Sequence, residues 1–262
     1  MYTDYRTLRV ERERGIVWIY LNRPDKLNAF NIDMLKELSE LVDEINEDRE
    51  VKCVVITGEG EKAFCAGADL EVLSKLDSLG ALEFSEIGQK LMKKIEGLRV
   101  PVIAAINGYA LGGGFELALA CDFRIAAEDA QLGSPEVKLG IIPGWGATQR
   151  LARLIGLSRA MELLMLGERI PASKALEIGL VHKVVPKEKL RDEVRALAER
   201  IVEGPAVAQA LIKRTLILGS QVPLDVGLEL EKHAFSAVFS TEDAKEGLNA
   251  FLSRRKPEFK GK

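Results

Sequence analysis

Cysteine, histidine and tryptophan are scarce in this chain of 262 residues. The three cysteines, Cys53, Cys65 and Cys121, are an odd number without CxxC spacing. That argues against a disulfide framework or a cysteine-rich zinc site, and suits a reducing compartment. His182 and His233 are the only histidines, and no HExxH occurs, so a histidine-built metal site is not expected. Uninterrupted apolar runs of the ~20 residues that a membrane span needs are also missing. The N-terminal stretch lacks the apolar core of a secretion signal; Asp4, Arg6 and the segment from Arg9 to Arg14 are charged instead. A cytoplasmic protein is expected. The net charge of −3 offers no bulk attraction to nucleic acid or membrane, so a polyanionic ligand would need a local basic patch.

Apolar residues make up 47% of the chain and charged residues 29%, which allows a core of useful size. The length fits one large domain, or a domain with a smaller appendage. Two strand-like pieces, Thr7 to Glu11 and Gly15 to Leu21, open the chain, and Asn22-Arg23-Pro24-Asp25 ends them. Asn31 or Asp33 can cap a helix to about Asn46, with Met34, Leu35, Leu38, Leu41, Val42 and Ile45 on one face. Val51 to Thr57 and Pro101 to Asn107 read as buried strands, and Asp122 to Ala127 as a third. Between them lie a loop at Lys62 to Asp69, helical sequence to about Leu98, and a short apolar helix from Gly114 to Ala120. This alternation predicts an α/β architecture. Beyond about Lys187 only helical stretches remain, at 187–203, 205–219, 223–239 and 241–254, punctuated by Gly204-Pro205 and Val222-Pro223. No tandem repeat is visible in the residues.

Three segments carry chemical character. In KAFCAGADL, Gly67 stands between Ala66 and Ala68 and lets backbone approach a ligand, while Asp69 can cap the next helix. Taken alone, the segment reads first as a plain strand-to-helix connector. In NGYALGGGFELALACD, three glycines before a helix expose backbone N–H groups suited to a developing negative charge. One turn later Glu116 sits in a run of Phe, Leu and Ala, where a carboxylate is costly to bury and its pKa would rise. Function is favoured there over an exposed stripe, because the run leaves little room for one. GxGxxG is absent, so the glycine turn is no dinucleotide fingerprint. In QLGSPEVKLGIIPGWGATQRL, Glu136 follows Pro135 and a tight loop holds Pro143, Gly144 and Gly146. Glu136 alone would read as a surface residue. Two carboxylates with two donor-bearing loops suggest shared proton transfers beside a thioester oxygen that becomes an enolate.

Together these segments resemble the crotonase (enoyl-CoA hydratase/isomerase) family, closest to its short-chain hydratases and 3-hydroxyacyl-CoA dehydratases. The resemblance runs from LNRPDKLNAFN through the three segments to GERIPASKALEIGLVHKVVP and FSTEDAKEGLNAFLSRRKPEF. It implies a ClpP-like spiral of repeated ββα units over residues 1–200, with a helical C-terminal trimerisation region over 201–262. It implies a homotrimer or a homohexamer built as a dimer of trimers, and no metal or redox cofactor, coenzyme A being part of the substrate. By resemblance, the N–H groups of Ala68 and Gly113 form an oxyanion hole, Glu116 and Glu136 are the two acids, and Gly144 lies near the attacking water. Ala66 recognises the adenine through its carbonyl, with Gly67, Asp69, Leu70, Lys26 and Ala29 around the coenzyme. Arg254 and Lys256 belong to a basic cluster that meets the coenzyme phosphates of a neighbouring subunit.

The implied reaction is reversible syn addition of water to a short-chain 2-enoyl-CoA, such as crotonyl-CoA or acryloyl-CoA. Glu116 would deprotonate water for attack at C3, and Glu136 would exchange the proton at C2. Double-bond isomerisation, another acyl-CoA reaction on this fold, or noncatalytic RNA binding are the competing readings; the last would want a basic face. His182 and His233 read as ordinary residues, Trp18 and Trp145 as packing, and Cys65 lacks a histidine partner. Phe235 could line the acyl end or pack in a core, and residues 70–100 should border the acyl pocket.

Overall fold

The computed structural model describes residues 5–262. Asp4, one of the charged N-terminal residues noted above, lies outside them. The first two strands, β1 (Leu8–Glu13) and β2 (Ile16–Leu21), form an antiparallel hairpin across Arg14 and Gly15. Both turn residues have positive φ, at 48° and 80°, which is the two-residue turn that matches strand twist. Helix α1 (Ile32–Glu47) starts where the Asn31 side chain accepts the Met34 N–H at 2.9 Å. Its six apolar positions are all buried, as their three- and four-residue spacing predicts.

The chain then winds through three similar turns. Each contributes one strand to a large sheet, one short strand to a small sheet, and helix. The first has β3 (Cys53–Gly58), β4 (Ala63–Cys65) and the helices α2 (Leu70–Leu73) and α3 (Ser78–Glu96). The second has β5 (Val102–Ile106), β6 (Tyr109–Leu111) and α4 (Gly113–Ala120). The third has β7 (Phe123–Ala127), β8 (Gln131–Gly133), a 3-10 turn at Pro135–Leu139, and α5 (Ala147–Ile155). Two helices and two strands follow: α6 (Leu157–Leu166), β9 (Arg169–Pro171), α7 (Ala172–Glu177) and β10 (Lys183–Val185).

The large sheet runs β1-β2-β3-β5-β7-β10 and is parallel from β2 onward; the small sheet runs β4-β6-β8-β9. Strands β2, β3 and β5 are buried at every residue. Helices cover parallel sheets on both faces, and such strands read as continuous apolar runs. The small sheet was not visible in the sequence. Residues 63–65, expected as loop, pair with β6, and β6 in turn pairs with β8. The spiral of ββα turns implied by the resemblance is present.

Helix α8 (Leu190–Val202) packs across β2, β3, β5 and β7. Helices α9 (Ala206–Gly219) and α10 (Leu224–Val238) pack on each other and bury no residue fully, and α11 (Glu242–Leu252) completes the chain's helices. Lys213 ties α9 to the core: its ammonium donates to Asp122 at 2.7 Å and to the Val100 carbonyl at 3.1 Å.

Candidate active site

The small sheet sets the site. Strands β4 and β6 lie side by side, Cys65 opposite Ala110, so the glycine segments that leave them emerge together. Gly67 has φ +108° and Gly112 φ +51°, conformations that favour glycine. The backbones are so close that a Cβ on Gly67 would lie 3.1 Å from the Leu111 oxygen and 3.4 Å from the Gly113 nitrogen. Ala68 forms a parallel bridge with Phe30. The Phe30 N–H donates to the Gly67 oxygen, and the Phe30 oxygen accepts from the Asp69 N–H, each at 2.8 Å. Successive strand residues point their polar groups to opposite sides, so the Ala68 N–H turns away from Phe30, and Ala68 itself lines the cleft. Gly113, the first residue of α4, lines the same cleft.

Glu116 follows one turn into α4, a helix buried over its whole length, and is 2% exposed. Its Oε1 accepts the Trp145 N–H at 2.8 Å and the Ala147 N–H at 2.9 Å. Ala147 begins α5, whose N-cap, Gly146, has no side chain to cap it. Glu116 therefore supplies from another helix the acceptor that this helix end lacks. Burial still raises its pKa, to about 7; the Ala147 N–H draws it back, and nearby Glu136 pushes it up. A carboxyl poised near neutrality suits proton transfer.

Glu136 stands opposite, on the 3-10 turn that follows β8, and is partly buried. Its Oε2 accepts the Ser134 hydroxyl at 2.7 Å. Its Oε1 faces Gly112, where a Cβ would lie only 3.1 Å away. Burial raises its pKa, and the Ser134 hydroxyl opposes the rise.

The cleft holding both acids has a volume of about 1310 Å³. Apolar residues from 70–84, among them Leu70, Leu73 and Phe84, form one wall, and Ile141 to Gly144 another. Trp145 is 3% exposed, wedged edge-on to Phe30 at 5.4 Å and tilted against Phe84 at 5.3 Å. Helix α3 pins the loop before it: the Gly144 carbonyl accepts from Ser85 at 2.7 Å and from Gln89 at 2.9 Å. The cleft lining also carries a charge pair, Arg150 to Glu96, at 3.1 Å.

The family profile described as "Enoyl-CoA hydratase/isomerase" matches residues 11–262. The chain belongs to the enoyl-CoA hydratase/isomerase family. It is 46% identical to a crotonyl-CoA hydratase of Syntrophomonas wolfei, over 97% of this chain and 98% of the relative. It is 44% identical to a short-chain-enoyl-CoA hydratase of Clostridium acetobutylicum, over 95% of each. Among solved structures, an enoyl-CoA hydratase from Bacillus anthracis superposes with a TM-score of 0.95 at 45% identity, covering 98% of this chain and all of that one.

Within this member of the family the expected site residues divide. Ala66, Gly67, Ala68, Leu70, Gly113, Glu116, Glu136 and Gly144 all line the cleft. Asp69, Lys26 and Ala29 flank it and are engaged elsewhere. Asp69 caps α2 through the Glu71 N–H and pairs with Arg23 at 3.0 Å; Arg23 also donates to the Ala29 carbonyl at 2.5 Å. Lys26 pairs with Glu71 at 3.0 Å. Arg254 and Lys256 are not brought to the cleft of their own chain, and Lys256 pairs with Glu203 at 2.9 Å.

Phe235 lines neither core nor cleft in the single chain; it is exposed and meets the Phe239 ring edge-on at 5.0 Å. His182 accepts the Arg124 N–H at 3.1 Å, outside the cleft. Cys65 is fully buried, and burial pushes its thiol up to about 12, which leaves it inert. No helix among the described residues is long and apolar enough to cross a membrane. No cluster of three or more His, Cys, Asp and Glu among them could hold a metal ion.

Sequence reasoning gives Ser85, Gln89 and Ser134 no role, and reads Arg23 only as part of a turn. Of these only Ser134 lies next to a candidate acid in sequence, two residues before Glu136, a spacing that by itself does not show the contact.

Proposed function

We propose that the chain is a short-chain enoyl-CoA hydratase, a hydro-lyase that adds water reversibly and syn to a 2-enoyl-CoA thioester. The observation that carries this reading is the convergence of Glu116, Glu136, Ala68 and Gly113 on one cleft. Glu116, held by two main-chain donors, orients water and takes its proton as the oxygen attacks C3. Glu136 delivers the proton to C2. The Ala68 and Gly113 N–H groups hold the thioester oxygen while it carries enolate charge, and dehydration retraces the path. Gly144 borders the water. The reaction needs no cofactor, because the two carboxyls move both protons and coenzyme A arrives with the substrate.

Ala66, Gly67 and Leu70 face the coenzyme arm, with Lys26, Ala29 and Asp69 as its outer rim. Residues 1–200 are the catalytic spiral and 201–262 an assembly region. Large apolar side chains on α10 and α11 stand in the open, Leu224 at 75% and Phe251 at 83% exposure, which supports a homotrimer or a dimer of trimers. Arg254 and Lys256 would then reach the coenzyme phosphates of a neighbouring subunit. The cytoplasm is the compartment that fits three unpaired cysteines.

A hydration and dehydration panel tests the reading, from acryloyl-CoA through crotonyl-CoA to long-chain enoyl-CoAs, with a 3-enoyl-CoA as the isomerase control. Turnover should be greatest for the short 2-enoyl substrates. A folded protein that isomerises the 3-enoyl-CoA but hydrates none of the panel would overturn it. Sedimentation of the same sample as a monomer would reject the assembly.

A further inference from the structure

The two acids of the site are held differently. Glu116 has main-chain donors from a neighbouring loop; Glu136 has one side-chain donor, the hydroxyl of Ser134, at 2.7 Å. Ser134 is 1% exposed, so water cannot readily take its place. Its hydroxyl meets Oε2 and leaves Oε1 beside Gly112, on the cleft side. We infer that Ser134 is a positioning residue that fixes the rotamer of Glu136 and reserves Oε1 for the C2 proton. This rests on the reading of Glu136 as the group that exchanges that proton.

The surroundings support the assignment. Of the titratable groups that line the cleft, Glu116 is the one whose charge couples to Glu136; Lys93, Glu96, Arg150 and Arg153 line it too, and Arg150 is paired with Glu96. The turn itself carries Lys138; α6, packed on the same turn, carries Arg159 and Glu162; and Glu168 and Arg169 lie against Gly133 at the end of β8. No charge among these accounts for the state of Glu136. Burial raises its pKa, and only the Ser134 hydroxyl and its own main-chain N–H oppose the rise. A donor to a carboxylate stabilises the charged form, so its loss moves titration upward.

Hydrogen–deuterium exchange at C2 of butyryl-CoA in D2O isolates this step. The C2–H bond breaks, its electron pair enters the enolate, and the proton passes to Glu136. The carboxyl exchanges with solvent and returns a deuteron to C2. No water is added, so Glu116 is not needed as base. Exchange requires Glu136 as carboxylate, and its rate therefore has an acidic limb.

In Ser134→Ala that limb should move up by about one pH unit, the effect of one hydrogen bond to a charged group. Butyryl-CoA affinity should stay within about twofold, as expected when only proton transfer is affected. Ser134→Thr, which keeps the hydroxyl, should restore the limb. Should the alanine variant not fold, Ser134→Cys, a weaker donor, should shift the limb in the same direction. A limb unmoved in a folded variant, whatever happens to the rate, overturns the inference while leaving the role of Glu136 intact. Absence of C2 exchange in the unaltered protein removes that role, and Ser134's with it.

Discussion

The reacting end of the cleft and its charged rim are built on opposite principles. At the reacting end, Glu116 is almost fully buried and every donor that meets it is main-chain N–H. At the proposed rim, Lys26 beside the cleft and Lys256, which would reach a neighbouring subunit's cleft, stand in solvent and pair with Glu71 and Glu203, exposed acids of their own chain. Buried main-chain donors are preorganised and act in a low-dielectric setting; exposed lysines are screened and hold their partners loosely. The difference teaches where rate and where affinity should reside. Substitutions inside should reduce kcat by orders of magnitude, and substitutions at the rim should alter KM slightly.

Glu136→Gln is the severest test of that contrast. The amide keeps the shape and can still accept the Ser134 hydroxyl, but it cannot carry the C2 proton. Hydration of crotonyl-CoA should fall roughly 10²–10⁴-fold in kcat, with coenzyme affinity largely kept. Near-normal turnover in that variant would dissolve the distinction between the two regions. A smaller loss is expected from Ala68→Pro, which deletes one proposed oxyanion donor at a position whose N–H the Phe30 bridge does not use. The rate should drop roughly 10²–10³-fold. Ala68 is the better choice for this test than Gly113, where any Cβ would come within 2.3 Å of the Trp145 ring. An undiminished rate in folded Ala68→Pro protein would reject the donor.

Burial of Glu116 also predicts a cost in stability. Its folded pKa of about 7 lies above the ordinary 4.5, so the native state binds the extra proton between these values. Stability therefore falls as pH rises from about 4.5 to about 7, and then levels, by about 3 kcal/mol in all. Glu116→Gln removes the charge yet leaves an oxygen to accept from Trp145 and Ala147. This variant should unfold at higher denaturant than the unaltered protein at pH 8, and at the same concentration near pH 4.5. Equal midpoints at both pH values would mean that the carboxyl is not strained by its setting.

How much of this was legible beforehand follows from element length and from what holds each group. Helix α1 announced itself through Asn31 and six periodic apolar residues, and β3 and β5 through unbroken apolar runs. The strands of the small sheet are three residues each, too short to show a period, and they become strands only by pairing between successive turns of the spiral. The stretch 70–98 read as continuous helix, but it breaks at Ser74 to Asp77, where Asp77 caps α3 through the Gly80 N–H. Glu116 was conspicuous as a lone acid in an apolar run. That it caps α5 was not, because the relation depends on two helices meeting across 31 residues of chain. Ser134 before Pro135 reads as an ordinary turn, and its partner is evident only once the 3-10 geometry places the hydroxyl under Glu136.

The smallest effect belongs to the rim. Lys256 pairs with Glu203 at 2.9 Å, and both side chains are largely exposed. Such a pair contributes little to folding, so Lys256→Ala should leave thermal stability unchanged within about a degree. If Lys256 instead serves a coenzyme phosphate in a neighbouring subunit, KM for crotonyl-CoA should rise about two- to fivefold at low salt, since a screened charge–phosphate contact is worth no more. The rise should vanish near 1 M salt, where the screening length shrinks to about 3 Å, and kcat should not change at any salt. Lys26→Ala offers the matching comparison from the same chain's rim. A KM that responds to neither substitution would assign both lysines to their acidic partners, and would leave coenzyme recognition to the backbone of Ala66 and Gly67.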